Sequence, residues 1–127
     1  FSGVQQRARD GRRRADVTAI SKAYEAQKIT GATTYSASAT GWFAGGAVPV
    51  EQSTDRNYII VYSTTAGAVV ALPGAWTAQT PPVNPTAAAG TTVATFAAAL
   101  PATITSFQIC GLLENPVNTA FCVANQQ

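Results

Sequence analysis

The N-terminal quarter of the chain has the pattern of one long helix. No proline occurs from Val4 to Ile29, and alanines recur there among arginines, lysines and glutamines, which are all strong helix formers. Gly31 follows Ile29 closely and is a common type of helix stop. The sequence therefore predicts a helix over residues 4–29.

Apolar side chains are confined to the C-terminal half of this predicted helix. Val17, Ile20 and Tyr24, together with Ala23, follow helical spacing and predict a docking face. Residues 5–14 are almost wholly polar or basic. We therefore expect the C-terminal half to pack on a core, and the N-terminal half to protrude with Arg7 through Arg13 exposed.

The next segment, residues 30–56, has no sustained hydrophobic period. It is rich in glycine, threonine, serine and alanine, and its pair Trp42-Phe43 could pin it to the rest of the protein. We predict a connecting loop. Trp76 also lies in a predicted loop, and for both tryptophans loop pinning is the commoner role, with sugar stacking as the alternative.

A β pattern begins at residue 57. Residues 57–64 are β-branched and aromatic throughout, and a glycine-containing turn at 65–67 predicts a hairpin with a second strand at 68–72. Four prolines between positions 81 and 101 exclude a long regular element, although the pattern of 92–100 allows one short helix.

The two cysteines flank a predicted turn. Residues 106–113 and 119–124 have strand patterns, and the segment between them contains Pro116 and other turn formers. A hairpin folded about Pro116 places Cys110 opposite Cys122, where a disulfide can form. Such a bridge would contribute roughly 3 kcal/mol and implies an oxidising compartment. The alternative is a pair of buried free thiols.

One long helix followed by a small antiparallel sheet is an α+β order. With 127 residues, the chain has room for one domain. We predict that residues 1–127 form a single domain, in which the helix packs on a sheet of about four strands built from residues 57–127. The aromatic side chains of the strands are expected in the core against the docking face, namely Tyr58, Tyr62, Phe107 and Phe121.

Composition argues against an enzyme. The chain has no histidine, which excludes serine–histidine and cysteine–histidine catalytic arrangements and removes the usual zinc ligand. Only 11% of the residues are charged, and no two of the six carboxylates have an obvious reason to share a site. Glu51 and Asp55 alone fall short of a calcium cage. We therefore expect no catalytic site, no cofactor and no metal.

Positive charge is concentrated in the predicted helix. Residues 7–28 hold seven bases and three acids, giving +4, whereas the rest of the chain holds one base and three acids, giving −2. A basic cluster accounts for most of this charge and consists of Arg7, Arg9, Arg12, Arg13 and Arg14.

Three interpretations of the basic cluster stay open. It could be a solvated helix surface with internal pairs such as Arg12 with Asp16. It could form a subunit contact or a membrane-edge contact in a filament. It could also bind nucleic acid, although no aromatic residue is interleaved with it and no second basic surface accompanies it.

The segment from Arg7 to Tyr24, with the sequence RARDGRRRADVTAISKAY, resembles the helix of bacterial type IV pilins and pseudopilins. The ending LLENP at residues 112–116, with Phe121-Cys122, is similar to the C-terminal hairpin of pilin-like proteins. Between them, residues 30–100 match the family only in the order of their elements.

In this family the helix follows a hydrophobic stretch of about twenty residues, the length a bilayer requires. Mature type IV pilins begin with an N-methylated phenylalanine and carry glutamate at the fifth position. This chain has Phe1 but Gln5, and no hydrophobic stretch follows. We therefore interpret Phe1 as lying just after the membrane-spanning part.

The resemblance implies a structural subunit, a major or minor pilin of a type IV pilus. It implies other pilin subunits as partners, a place in the inner membrane before assembly, and a final location in filaments on the bacterial cell surface. Two alternatives remain. One is a pseudopilin of a type II secretion system. The other is a monomeric surface module, an adhesin or carbohydrate-binding domain, that uses the loops at 30–56 and 75–100. Nucleic acid is a further possible partner because some pilus systems take up DNA.

Overall fold

The computed structural model describes residues 2–26, 43, 47–65, 70–71, 75–96 and 100–125. Within these ranges the chain forms one helix and one four-stranded antiparallel sheet with the strand order β2-β1-β3-β4. The α+β class is therefore as predicted. The elements are α1 (Ser2–Ala26), β1 (Ile59–Ser63), β2 (Thr92–Thr95), β3 (Ser106–Leu113) and β4 (Thr119–Ala124).

Helix α1 packs on one face of the sheet through its predicted docking face. Val17, Ile20 and Tyr24 are all buried and share a hydrophobic cluster with the inward side chains of β1 and β3. The ring of Tyr24 lies 5.4 Å from that of Phe107 in a tilted arrangement typical of aromatic pairs. The last three residues of the predicted helix, 27–29, lie outside the described residues, as does most of the predicted loop 30–56.

A glycine in β3 lets the helix approach the sheet closely. A β-carbon added at Gly111 would lie 3.1 Å from a methyl carbon of Val17 and 3.3 Å from the ring of Tyr58. Any larger residue would have to displace both side chains. Gly111 therefore sets the spacing between helix and sheet at this point.

The opposite face of the sheet has its own smaller core. Because side chains alternate along a strand, Ile59, Val61 and Cys110 point away from the helix and are covered by Val70 and Trp76. Trp76 is buried, which agrees with the pinning role expected for it. Trp42 lies outside the described residues.

The partner of β1 differs from the prediction. Residues 92–95, expected to begin a short helix, form the edge strand β2 and pair with β1 from Ile59↔Thr95 to Tyr62↔Thr92. The described part of the predicted second strand, residues 70–71, is not in a strand. The physical reason is tertiary pairing. β1 is buried on both faces, and the β-branched residues of 92–95 suit an edge beside it better than a helix.

The C-terminal hairpin has the predicted register. Cys110 pairs with Cys122 across β3 and β4 and forms a disulfide. The intervening residues 114–118 form the turn, in which Asn118 has a φ of 54°, a left-handed conformation that asparagine tolerates well. Phe121 and Tyr62 are partly buried against the helix-side core, whereas Tyr58 and Phe107 are buried.

We expect the substitution Ile20→Ala to lower the free energy of unfolding by about 2–5 kcal/mol, because a fully buried side chain would leave a cavity between helix and sheet. The measurement is chemical denaturation at neutral pH. Val4→Ala is the matched control on the same helix, since Val4 is 67% exposed. Equal effects of the two substitutions would contradict the docking face described above.

Candidate functional site

On the N-terminal side of the apolar docking face, helix α1 makes a second buried contact, which consists of charged residues. Asp10 and Arg13 are both buried. They continue the three- and four-residue spacing of Val17, Ile20 and Tyr24 toward the N-terminus, so they lie on the same face of the helix. The helix therefore contacts the rest of the domain over both of its halves.

Arg13 is the centre of this contact. Its side chain is 2% exposed, and its guanidinium reaches three carboxylates from three parts of the chain. Nε donates to Glu51 at 2.6 Å, while Nη1 donates to Glu114 at 2.6 Å and to Asp10 at 2.8 Å. We call these four residues, with Arg9, the Arg13 network.

Asp10 connects the helix to the turn between β3 and β4. Besides its bond with Arg13, its carboxylate accepts hydrogen bonds from the backbone N–H groups of Glu114 and Asn115, each at 2.9 Å. Arg9 adds a bidentate pair, in which Nε and Nη2 donate to the two oxygens of Glu114 at 2.6 and 2.9 Å. These bonds fix the end of the disulfide hairpin against the helix.

Glu51 organises the segment that follows the undescribed part of the loop. Its Oε1 accepts hydrogen bonds from both the backbone N–H and the hydroxyl of Ser53, at 3.1 and 3.0 Å. Nearby, the hydroxyl of Tyr58 donates to Asp16 at 2.6 Å, and Arg12 lies 3.8 Å from the same carboxylate. The expected pair of Arg12 with Asp16 is therefore present.

The bonds of the network shift the pKa values of Glu114, Asp10, Arg9 and Arg13 in the directions that keep these groups charged. Hydrogen bonds from Arg9, aided by Arg13 and opposed by burial, lower the pKa of Glu114 from 4.5 to about 2. Burial raises the pKa of Asp10, but the N–H groups of Glu114 and Asn115 and the guanidinium of Arg13 outweigh it and hold that pKa below 3.8.

The three other shifted groups are hydrogen-bond donors. The hydrogen bond to Glu114 raises the pKa of Arg9. Burial lowers the pKa of Arg13, but its bonds to Glu51, Glu114 and Asp10 outweigh burial and raise that pKa. Burial raises the pKa of the Tyr58 hydroxyl, and its bond to Asp16 raises it further.

This arrangement suits a structural role rather than acid–base chemistry. Two arginines face three carboxylates, so the formal charge of the network is 2 − 3 = −1, and each carboxylate accepts at least two hydrogen bonds. For Asp10 and Glu114 such bonds stabilise the ionised form and lower the pKa, which makes these two carboxylates poor proton acceptors near neutral pH. The network can hold three chain segments together.

The five arginines of the predicted basic cluster have different environments. Arg9, Arg12 and Arg13 pair with carboxylates. The Arg14 guanidinium lies 5.4 Å from the centroid of the Phe121 ring, within the range of a cation–π contact. Arg7 is exposed, and the described residues provide no acidic partner for it.

Two expectations about this region were wrong. Arg13 is buried, and the N-terminal half of the helix is docked through charged side chains instead of protruding. Asp10, Glu51 and Glu114 do share a site, because one guanidinium offers enough donors for all three. The spacing of Asp10 and Arg13 continues the apolar stripe, and this signal could have identified these two residues as facing the sheet.

Two further properties concern only the described part of the chain. No group of three or more histidine, cysteine, aspartate or glutamate side chains there could hold a metal ion. No helix in those ranges is both long enough and apolar enough to cross a membrane.

No protein-family model, curated protein or solved structure matches this chain. The resemblance to type IV pilins therefore rests on the residues of the helix and of the C-terminal hairpin.

We expect the domain to lose stability as the pH falls from about 4.5 to about 2. The folded pKa of Glu114 lies below its ordinary value, so its contribution is fully present above the ordinary value and disappears as the pH falls through the folded one. The variant Glu114→Gln should lose about 1–3 kcal/mol at pH 7 and depend less on pH across this window. Urea denaturation at several pH values measures both effects.

Glu25→Gln is the control, because Glu25 lies outside the Arg13 network. The stability of this variant should follow the pH profile of the wild type. Parallel profiles for wild type and Glu114→Gln would show that Glu114 is not held as an ionised partner of the arginines.

Proposed function

We propose that this chain is the globular domain of a structural subunit, a type IV pilin or pilin-like protein, that packs into a filament through its N-terminal helix. The observation that carries the proposal is the outer face of α1. Along that face, between residues 8 and 19, the exposed positions recur every three or four residues and carry small side chains, at Ala8, Gly11, Ala15 and Ala19.

Small residues on one helix face allow a neighbouring helix to approach closely. A β-carbon added at Gly11 would meet nothing within 4 Å, so this face is open in the single domain. Arg7 and Arg14, seven residues apart, lie along one edge of it and are exposed, so a neighbouring subunit packed on this face would contact them. The outer face of α1 differs in this respect from a large exposed apolar face, which would favour non-specific association.

The Arg13 network supports this proposal because it fixes the helix on its inner side. A helix that only half docks would present its N-terminal half in many orientations. With Arg13 tied to Glu51 and Glu114, the outer face between Ala8 and Ala15 has one orientation relative to the sheet. Regular packing in a filament needs such a fixed orientation, since each subunit makes the same contact as the last.

The remaining parts of the proposal come from the family resemblance. Assembly in that family uses a hydrophobic stretch before the helix, which we place ahead of Phe1 in the gene product and in the inner membrane before assembly. The disulfide between Cys110 and Cys122 is consistent with the extracellular location that a surface filament implies.

The same evidence makes nucleic acid a poorer partner than another subunit. Three of the five arginines in the basic cluster already pair with carboxylates of this chain, and Arg14 contacts Phe121. A phosphate backbone would have to compete with those bonds, and affinity for it depends on the number of free cations.

The test uses cells that carry the complete gene. The variant Gly11→Gln places a long side chain on the outer face, and glutamine is a better helix former than glycine by up to about 1 kcal/mol, so the domain itself should stay folded. We expect deletion of the gene, and this variant, to reduce or abolish surface filaments in electron micrographs.

Thr86→Gln, at an exposed position away from the helix, is the matched control and should leave the filaments unchanged. The proposal is wrong if filaments, adhesion, motility, secretion and DNA uptake all survive deletion of the gene. The outer face is misassigned if Gly11→Gln assembles as well as Thr86→Gln.

A further inference from the structure

The first turns of α1 and the turn between β3 and β4 lie at the same end of the domain. The carboxylate of Asp10 accepts hydrogen bonds from the backbone N–H groups of Glu114 and Asn115, so this turn is held beside the helix. We call this end of the domain, made up of residues 3–14 and 114–118, the N-terminal pole.

Two large apolar side chains are exposed on the N-terminal pole. Val117 is 74% exposed and Val4 is 67% exposed, the two highest values among the large apolar residues that the structure describes. Val117 lies within about 7 Å of Asn115 along the chain, and Val4 lies about 9 Å before Asp10 along the helix axis. Single exposed valines are common on protein surfaces, but these two share one end of the domain with a group of exposed cations.

Positive charge dominates the accessible surface of the N-terminal pole. Four arginines are exposed there, namely Arg7, Arg9, Arg12 and Arg14. The carboxylates that pair with Arg9 and Arg12 are mostly covered, since the side chain of Glu114 is 14% exposed and that of Asp16 is 19% exposed. The side chains of Asp10 and Glu51 are 6% exposed. The N-terminal pole therefore presents cations to its surroundings and holds its acidic groups beneath them.

The arrangement of these cations around the helix favours a lipid surface over a folded protein. Arg12 and Arg14 lie on opposite flanks of α1, because each residue turns the helix by about 100°. A protein packed on one flank would leave the cation on the other flank unused. Mobile anionic headgroups can reach both flanks, and exposed apolar side chains can enter the boundary between headgroups and acyl chains.

A second copy of this chain does not supply the negative charge. All six side-chain carboxylates are engaged within the domain, and they are Asp10, Asp16, Glu25, Glu51, Asp55 and Glu114. The anionic groups that the N-terminal pole fits therefore come from a different molecule.

We propose that the N-terminal pole binds the surface of a membrane that contains anionic phospholipid. The phosphates of the headgroups pair with the exposed arginines, while Val4 and Val117 are buried at the boundary of the acyl chains. This contact requires no filament, so this proposal and the proposed function can each fail alone.

The experiment is co-sedimentation of the 127-residue chain with vesicles, at about 0.1 M salt, where exposed charges act over roughly 10 Å. One set of vesicles is phosphatidylcholine alone, and the other is an equal mixture of phosphatidylcholine and phosphatidylglycerol. We expect binding to the mixed vesicles to be at least about tenfold stronger, because several arginines contact the anionic headgroups. Equal binding to both sets, or no binding to either, overturns the proposal.

The variant Arg7→Gln should weaken binding to the mixed vesicles about fivefold, the contribution of one arginine near an anionic surface. Lys22→Gln is the matched control, because it removes the same charge from an exposed position on the same helix. Lys22 lies about 22 Å farther along the axis, beyond the reach of screened charges, so this variant should bind like the wild type. Equal losses in the two variants would show a general effect of net charge and would overturn the assignment to the N-terminal pole.

A spin-labelled phospholipid in the mixed vesicles locates the bound surface in the wild type. Broadening of backbone amide signals should be strongest at residues 3–7 and 117–118, and weakest at residues 104–107, near the opposite end of β3. The reverse distribution contradicts the proposal.

The variant Val117→Asn separates a membrane from other polyanions, because only a membrane buries the valine. It should bind the mixed vesicles more weakly than the wild type does. If a DNA duplex binds the wild type as tightly as the vesicles do, and Val117→Asn changes neither affinity, the N-terminal pole is a general polyanion site and the proposal is wrong.

Discussion

One buried guanidinium determines how this domain is held together. Arg13 continues the helical spacing of Val17, Ile20 and Tyr24, so its side chain faces the sheet. A charged group can be buried there only with partners. Its three carboxylates come from the helix itself, from the segment around Glu51 and from the turn at Glu114. Removing Arg13 would take away the one partner that all three carboxylates share, which is unfavourable for charges that are held away from water. The position of Arg13 therefore fixes three separate segments at once.

Helix α1 packs on the rest of the domain through two kinds of contact, and both lie on the same face of the helix. The C-terminal half packs by hydrophobic burial on β1 and β3, with Gly111 setting the distance. The N-terminal half packs by hydrogen bonds and charge on the end of the disulfide hairpin. The bridge between Cys110 and Cys122 closes that hairpin only a few residues from Glu114. The outer face of the helix takes part in neither contact, which is why it is available for another subunit in the function proposed above.

The sequence was informative where its signals are local. The helix follows from residue propensity, the apolar docking face from its period, and the register of Cys110 with Cys122 from the turn at Pro116. β2 could not be predicted in the same way, since residues 92–95 owe their strand conformation to pairing with β1, thirty or more residues away in sequence. The partners Glu51 and Glu114 lie 38 and 101 residues from Arg13, and no local pattern links them to it. The spacing of Asp10 and Arg13 was visible, but polarity alone suggested a solvated surface.

Amide hydrogen exchange along α1, in the wild type and in Arg13→Met, is the most direct test of the role of Arg13. The substitution removes the charge while keeping a long apolar side chain. If Arg13 holds the N-terminal half of the helix, amides of residues 10–14 and 17–24 should both be protected in the wild type. In Arg13→Met the protection of 10–14 should fall sharply, while that of 17–24 should change little, because the apolar contacts remain. Rapid exchange of 10–14 in the wild type, or unchanged protection in Arg13→Met, would contradict the role assigned to this guanidinium.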